Sequence, residues 1–180
     1  DWPMWRYGAG RVAATPHSLP DDLHLRWVRH YAPQKPTWDD DLNQDLMQFG
    51  NVREPVVMNG VVYLASSLND RVDALDARTG KPRWTFYTNG PVRLPPVAVD
   101  GRVYVVADDG YLYCLDGATG DLNWKFLGAP SERRIIGNER LISSWPARGG
   151  PVLADNVVYF AAGIWPFMGV FIYAVDAVTG

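Results

Sequence analysis

The sequence predicts an all-β protein, a β-propeller of four-stranded antiparallel blades. Three observations carry that prediction. A strand-rich unit recurs with a period of about forty residues. A two-residue hairpin turn stands at the same place in every copy. An eleven-residue turn motif ends in tryptophan. The unit that opens Pro55-Val56-Val57-Met58-Asn59-Gly60-Val61-Val62-Tyr63 recurs from Pro96 and again from Pro151, 41 and 55 residues apart.

Within the first copy, Pro55–Met58 alternates as an inner strand, A. Asn59-Gly60 then supplies the two positive φ angles that a tight hairpin demands. Asp100-Gly101 and Asp155-Asn156 hold the same place in the later copies. Strand B follows as 61–65, 103–107 and 157–162, and strand C as 72–76, 112–116 and 171–176. The motif comes next: Ala74, Asp76, Thr79 and Gly80, then Trp84 in strand D. The second copy reads Cys114, Asp116, Thr119, Gly120 and Trp124. The third reads Ala174, Asp176, Thr179 and Gly180, where the chain ends. Asp and Thr side chains hydrogen-bond turn backbone, and glycine takes the left-handed position. The tryptophan then offers a flat face to the next blade. The blades are therefore expected at 55–86 and 96–126, with an incomplete one at 151–180, so that 55–180 is a partial propeller.

This motif resembles the tryptophan-docking motif of the PQQ-like propellers, the superfamily of quinoprotein alcohol dehydrogenases and BamB-type assembly lipoproteins. Cys114 and Gly117 depart from the commonest residues at their places, but both are small. The Trp2-Pro3-x-Trp5-Arg6 start is similar to the opening of secreted PQQ-like repeat proteins. The resemblance implies a ring of seven or eight blades when complete, a periplasmic or secreted location, and two kinds of activity. One is a binding or scaffold module. The other is the N-terminal part of a dehydrogenase using pyrroloquinoline quinone (PQQ) with calcium.

Composition narrows the field. A net charge of -3 with 17 basic and 20 acidic residues gives no electrostatic footprint for nucleic acid. No run reaches the roughly 18 apolar residues of a membrane span. The lone Cys114 excludes an intrachain disulfide and reads as a buried strand residue. His17, His24 and His30 do not stand at a metal-ligand spacing.

The N-terminal segment is 1–54, of which residues 31–54 fit no blade. Within it, 22–30 (Leu23-His24-Leu25-Arg26-Trp27-Val28) alternates like an isolated strand D, and the resemblance implies that it completes the last blade. Ala32–Pro36 reads as an irregular connector and Asp39-Asp40-Asp41 as a solvated acidic run. The strands expected number about twelve, an open arc with exposed edges, so the rest of the ring is expected outside this chain.

Antiparallel order puts the A–B and C–D turns on one rim and the B–C turns and D–A links on the other. The two irregular insertions, 127–150 and 163–169, both fall on the second rim. Long loops on a rigid scaffold are where binding usually resides. The same rim gathers Arg53, Arg93 and Arg148, each just before an inner strand, with Arg133, Arg134 and Arg140 from the insertion. Guanidinium groups there would take a carboxylate or phosphate. Alternatively each pairs with a local acid such as Glu54, Asp108, Asp109, Glu132 or Glu139. Trp165 and Phe167, with Met168, could stack on a planar ligand, anchor a protein partner, plug the funnel or pack on a further blade. The resemblance also extends to Arg148-Gly149, similar to an Arg-Gly near the dehydrogenase cofactor, but the adjacent cysteine pair of those enzymes has no counterpart. The expectation is a non-catalytic rim for a protein partner or small anion, with no resident cofactor and no metal site; the alternative is the quinone enzyme.

Overall fold

The computed structural model describes residues 1–31, 54–137 and 140–180. Arg53, Glu139, the Ala32–Pro36 connector and the Asp39–Asp41 run lie outside the described residues. Two four-stranded antiparallel sheets follow one another. The first holds β1 (Val56–Met58), β2 (Val61–Ser66), β3 (Arg71–Asp76) and β4 (Pro82–Tyr87), paired in sequence order. The second holds β5 (Val97–Val99), β6 (Arg102–Val106), β7 (Tyr111–Asp116) and β8 (Leu122–Leu127) in the same order. After a two-stranded hairpin, β9 (Arg134–Gly137) and β10 (Arg140–Ser143), comes a three-stranded sheet of β11 (Gly149–Ala154), β12 (Val157–Ala162) and β13 (Phe171–Asp176). The all-β, open-arc blade architecture is thus as the sequence predicts. Among the described residues, no helix is long and apolar enough to cross a membrane.

The A–B turns form because Asn59, Asp100 and Asp155 take φ of 51°, 49° and 50° and a residue of positive φ follows each. In each C–D turn the aspartate carboxylate gathers the local donors. Asp76 Oδ1 accepts the N–H groups of Arg78 and Thr79 and the Thr79 hydroxyl, and Asp116 and Asp176 do the same for their own turns.

That turn is the dock for the preceding tryptophan. Trp84 lies so close to Gly120 that a Cβ there would sit 2.6 Å from the indole, and its Nε1–H donates to Gly117 O at 3.0 Å. Trp124 lies over Gly180 in the same way. Trp27 repeats the geometry on the first blade, 2.7 Å from the Cβ position of Gly80, with its Nε1–H donating to Ala77 O at 3.0 Å. Residues 22–30 have no strand pairing among the described residues, so what holds them here is the indole dock.

Interleaved blades make the cores. Val56, Val72, Ala74 and Leu115 are fully buried between the first two sheets; Val97, Leu112, Cys114 and Val158 are buried between the second and third. Residues 1–11 run along the unpaired inner edges. Trp2 exchanges two backbone hydrogen bonds with Val57, Pro3 O accepts from Ala98, and Met4 is buried against the second core. Arg11 Nη2 reaches Pro151 O at 3.2 Å. The N-terminal segment therefore touches the inner strands β1, β5 and β11 in turn.

Candidate functional site

The B–C rim carries the polar cluster of interest. Asp108, in the β6–β7 turn, is 1% exposed, and its backbone is fixed on both sides: its N–H donates to Pro91 O and its C=O accepts from Ser143. Its carboxylate is shared by two arginines from different links. Arg93 donates from Nε to Oδ2 at 2.6 Å, while Arg148 donates from Nε to Oδ1 at 2.8 Å and from Nη2 to Oδ2 at 2.7 Å. Arg93 and Arg148 therefore do meet, and one buried carboxylate serves both. The trio holds one net positive charge. Arg93 Nη1 and Nη2 and Arg148 Nη1 carry no hydrogen-bond partner among the described residues.

The neighbouring Asp109 has a different set of partners. It accepts the Tyr113 hydroxyl and the N–H groups of Asn89 and Tyr111. Burial pushes its carboxyl above the ordinary value, against the pull of those hydrogen bonds. Asp70 is likewise raised by burial and opposed by Arg140, whose Nη2 meets its Oδ2 at 2.5 Å.

The insertion 127–150 is more ordered than an irregular link. Its hairpin reaches back over the first blade: Arg140 donates to Ser67 O and Leu68 O at 3.2 and 3.1 Å, and Arg134 donates to Asn89 O at 3.3 Å. Gly137-Asn138 between Ile135-Ile136 and Leu141-Ile142 is the sequence signal for this hairpin. Arg140 thus clamps the hairpin to Asp70 rather than adding a free charge to the mouth. Ser67, buried in the turn that Arg140 grips, has no hydrogen-bond partner for its hydroxyl among the described residues.

The second insertion is tied to the first. Trp145 Nε1–H donates to Met168 O at 2.7 Å, and Gly163 N–H donates to Pro146 O at 3.0 Å. Between these anchors a 3-10 turn, Pro166–Met168, lifts Trp165 and Phe167 into solvent, Phe167 to 84% exposure. Their rings face one another with centroids 6.1 Å apart.

Among the described residues no three His, Cys, Asp or Glu side chains gather as a metal site. Asp70 and Asp108 are already committed to arginines, and Cys114 is buried in β7 near Asn123.

Comparison with known proteins places this geometry in context. A family profile described as outer membrane protein assembly factor BamB matches residues 26–163. The dehydrogenase subunit of the quinone alcohol dehydrogenase of Gluconobacter oxydans (strain 621H) is 31% identical over 158 residues, covering 81% of this chain and 20% of that protein. The serine/threonine-protein kinase AfsK of Streptomyces griseus is 36% identical over 134 residues, covering 70% of this chain and 14% of the kinase. Among solved structures, the quinohemoprotein alcohol dehydrogenase from Comamonas testosteroni superposes with a TM-score of 0.58 at 27% identity, over 74% of this chain and 21% of that one. The chain thus spans about a fifth or less of the length of these relatives.

Proposed function

The chain belongs to the PQQ-like propeller family whose profile is described as outer membrane protein assembly factor BamB, and from that premise we propose that it is part of a non-catalytic binding module of the cell envelope, periplasmic or secreted, whose working face is the B–C rim. The observation that carries this reading is the interlock of the two insertions. Among the described residues two hydrogen bonds join them, and together they present Trp165 and Phe167 on a framework clamped to two blades. Rigid presentation of aromatic side chains is what a binding face requires. The Arg93–Asp108–Arg148 trio supports a small anionic ligand on the same rim, since guanidinium nitrogens with no partner among the described residues are already oriented by a buried carboxylate.

Fold alone assigns no chemistry, and the relatives carry names as different as assembly factor, dehydrogenase and kinase. The alternative, a piece of a PQQ-dependent alcohol or sugar dehydrogenase, is favoured by the Gluconobacter similarity and by Arg148-Gly149. In that reading the blades outside this chain supply the calcium ligands. The two readings separate in one titration of the full-length protein with PQQ plus calcium, read by absorbance and by dye-linked alcohol oxidation. No stoichiometric uptake and no turnover are expected. Uptake with turnover replaces the binding module with the enzyme.

A further inference from the structure

The inner strands of the three sheets lie against one another in turn, β1 beside β5 and β5 beside β11. Each is the first strand of its sheet, so each has one edge that pairs with no strand of its own blade. On β1 that edge turns the N–H and C=O of Val57 away from β2, and on β5 it turns the N–H of Ala98 away from β6. Backbone groups placed in this way take up an extended segment.

Here the segment that takes them belongs to the same chain. Trp2 exchanges backbone hydrogen bonds of 2.6 and 2.8 Å with Val57, and Pro3 O accepts the Ala98 N–H at 2.7 Å. Asp1 Oδ1 accepts the Asn59 N–H at 2.9 Å. Met4 then enters the second core and is 6% exposed. Proline suits its position because only its carbonyl is used there.

The chain just beyond Met4 is strained. Arg6, Tyr7, Arg11 and Ala13 take φ of 56°, 77°, 55° and 56°, in the left-handed region that disfavours residues with a Cβ. Two ties hold the loop shut. Ala13 N–H donates to Arg6 O, and the Arg11 guanidinium lies over the Trp5 ring while donating to Trp5 O at 3.3 Å and to Pro151 O at 3.2 Å. Arg11 is thus the clip between the loop and β11. A strained segment secured in this way is poised to leave.

We propose that the inner edge of β1 and β5 is a peptide-binding site, occupied in the structure by residues 1–4 of the chain itself and opened when the Arg11 clip lets go. Its ligand class is read from that occupant: an extended peptide offering a paired N–H and C=O, a carbonyl on the next residue and an apolar side chain on the one after. The site is separate from the B–C rim and stands whether or not that rim is the working face.

The test follows the Val57 and Ala98 amides by hydrogen exchange in the full-length protein and its Arg11→Ala variant. Loss of the hydrogen bonds to Trp5 and Pro151 should speed both amides by about tenfold. Val103 and Leu115, buried in the first core, should keep the parent rate. A synthetic peptide of residues 1–7, Asp-Trp-Pro-Met-Trp-Arg-Tyr, should bind the variant about tenfold more tightly than the parent, because apparent affinity scales with the fraction of open edge. The same peptide N-methylated at its Trp2 amide loses the donor to Val57 O and should bind about tenfold more weakly. Unchanged exchange at Val57 and Ala98, or equal acceleration at Val103 and Leu115, overturns the releasable clip. A peptide that binds neither protein at about 1 mM, binds both alike, or binds equally when N-methylated overturns the site.

Discussion

Replacing Asp108 by alanine should be among the most damaging single changes on the rim, and the structure sets its size. The side chain is 1% exposed and accepts three charge-assisted hydrogen bonds of 2.6, 2.8 and 2.7 Å from two guanidinium groups. At roughly 1.5–3 kcal/mol for each bond to a charged group, a simple sum is an overestimate, because the three act as one unit. The arginine side chains are 13% and 23% exposed, so water reaches part of each when the carboxylate is gone. Breaking a buried pair by removing one partner costs about 3–5 kcal/mol, and this partial exposure places Asp108→Ala near the lower end, about 3 kcal/mol. The assay is urea denaturation of the full-length protein, with Arg93→Ala and Arg148→Ala alone and each combined with Asp108→Ala. Couplings above about 1 kcal/mol are expected for both arginines. A loss below about 1 kcal/mol for Asp108→Ala, or additive double mutants, would refute the shared-carboxylate account.

Two further outcomes follow from the docking turns. Gly120→Ala puts a methyl 2.6 Å from the Trp84 ring and forces alanine into φ of +79°, so it should cost about 2–4 kcal/mol in the same unfolding assay; Gly101→Ala, with the same sign of φ but open space around the Cβ, should cost only about 1–2 kcal/mol. The Asp116 carboxyl is held below its ordinary value, first by the Thr119 N–H and then by that of Ala118. A depressed folded value means that its contribution is present above the unfolded value near 4 and is lost as pH falls through the lower folded one. Melting temperature measured from pH 5 downward should therefore fall less steeply for Asp116→Asn than for the parent. Parallel curves would contradict the assignment.

The blade pattern was legible because its determinants are local. Positive φ at Asn59-Gly60 and the Asp–Thr–Gly turn lie within a few residues of each other, and their chemistry does not depend on the rest of the chain. The β9–β10 hairpin was legible only in part. Its Gly137-Asn138 signal sits inside what otherwise reads as a link, and its clamp, Arg140 on Asp70, joins residues 70 positions apart. Residues 22–30 show both sides of the matter. The alternation suggests a strand, but a strand needs a neighbour to share backbone hydrogen bonds, whereas the Trp27 dock needs only Gly80 and the Ala77 carbonyl.

Sequence by itself determined the all-β blades, their turns, the tryptophan docks and the rim on which both insertions fall. Tertiary structure alone decided how the charges on that rim are spent. Asp108 and Asp109 are chemically equivalent neighbours, yet one holds Arg93 and Arg148 from 15 and 40 residues away and the other takes a tyrosine hydroxyl and two amides. Which carboxylate meets which donor depends on where separate links converge over the blades, and no local pattern encodes that convergence. The N-terminal strap along β1, β5 and β11 has the same origin: inner-strand edges carry unpaired backbone groups, and only the assembled arc brings three of them within reach of one segment.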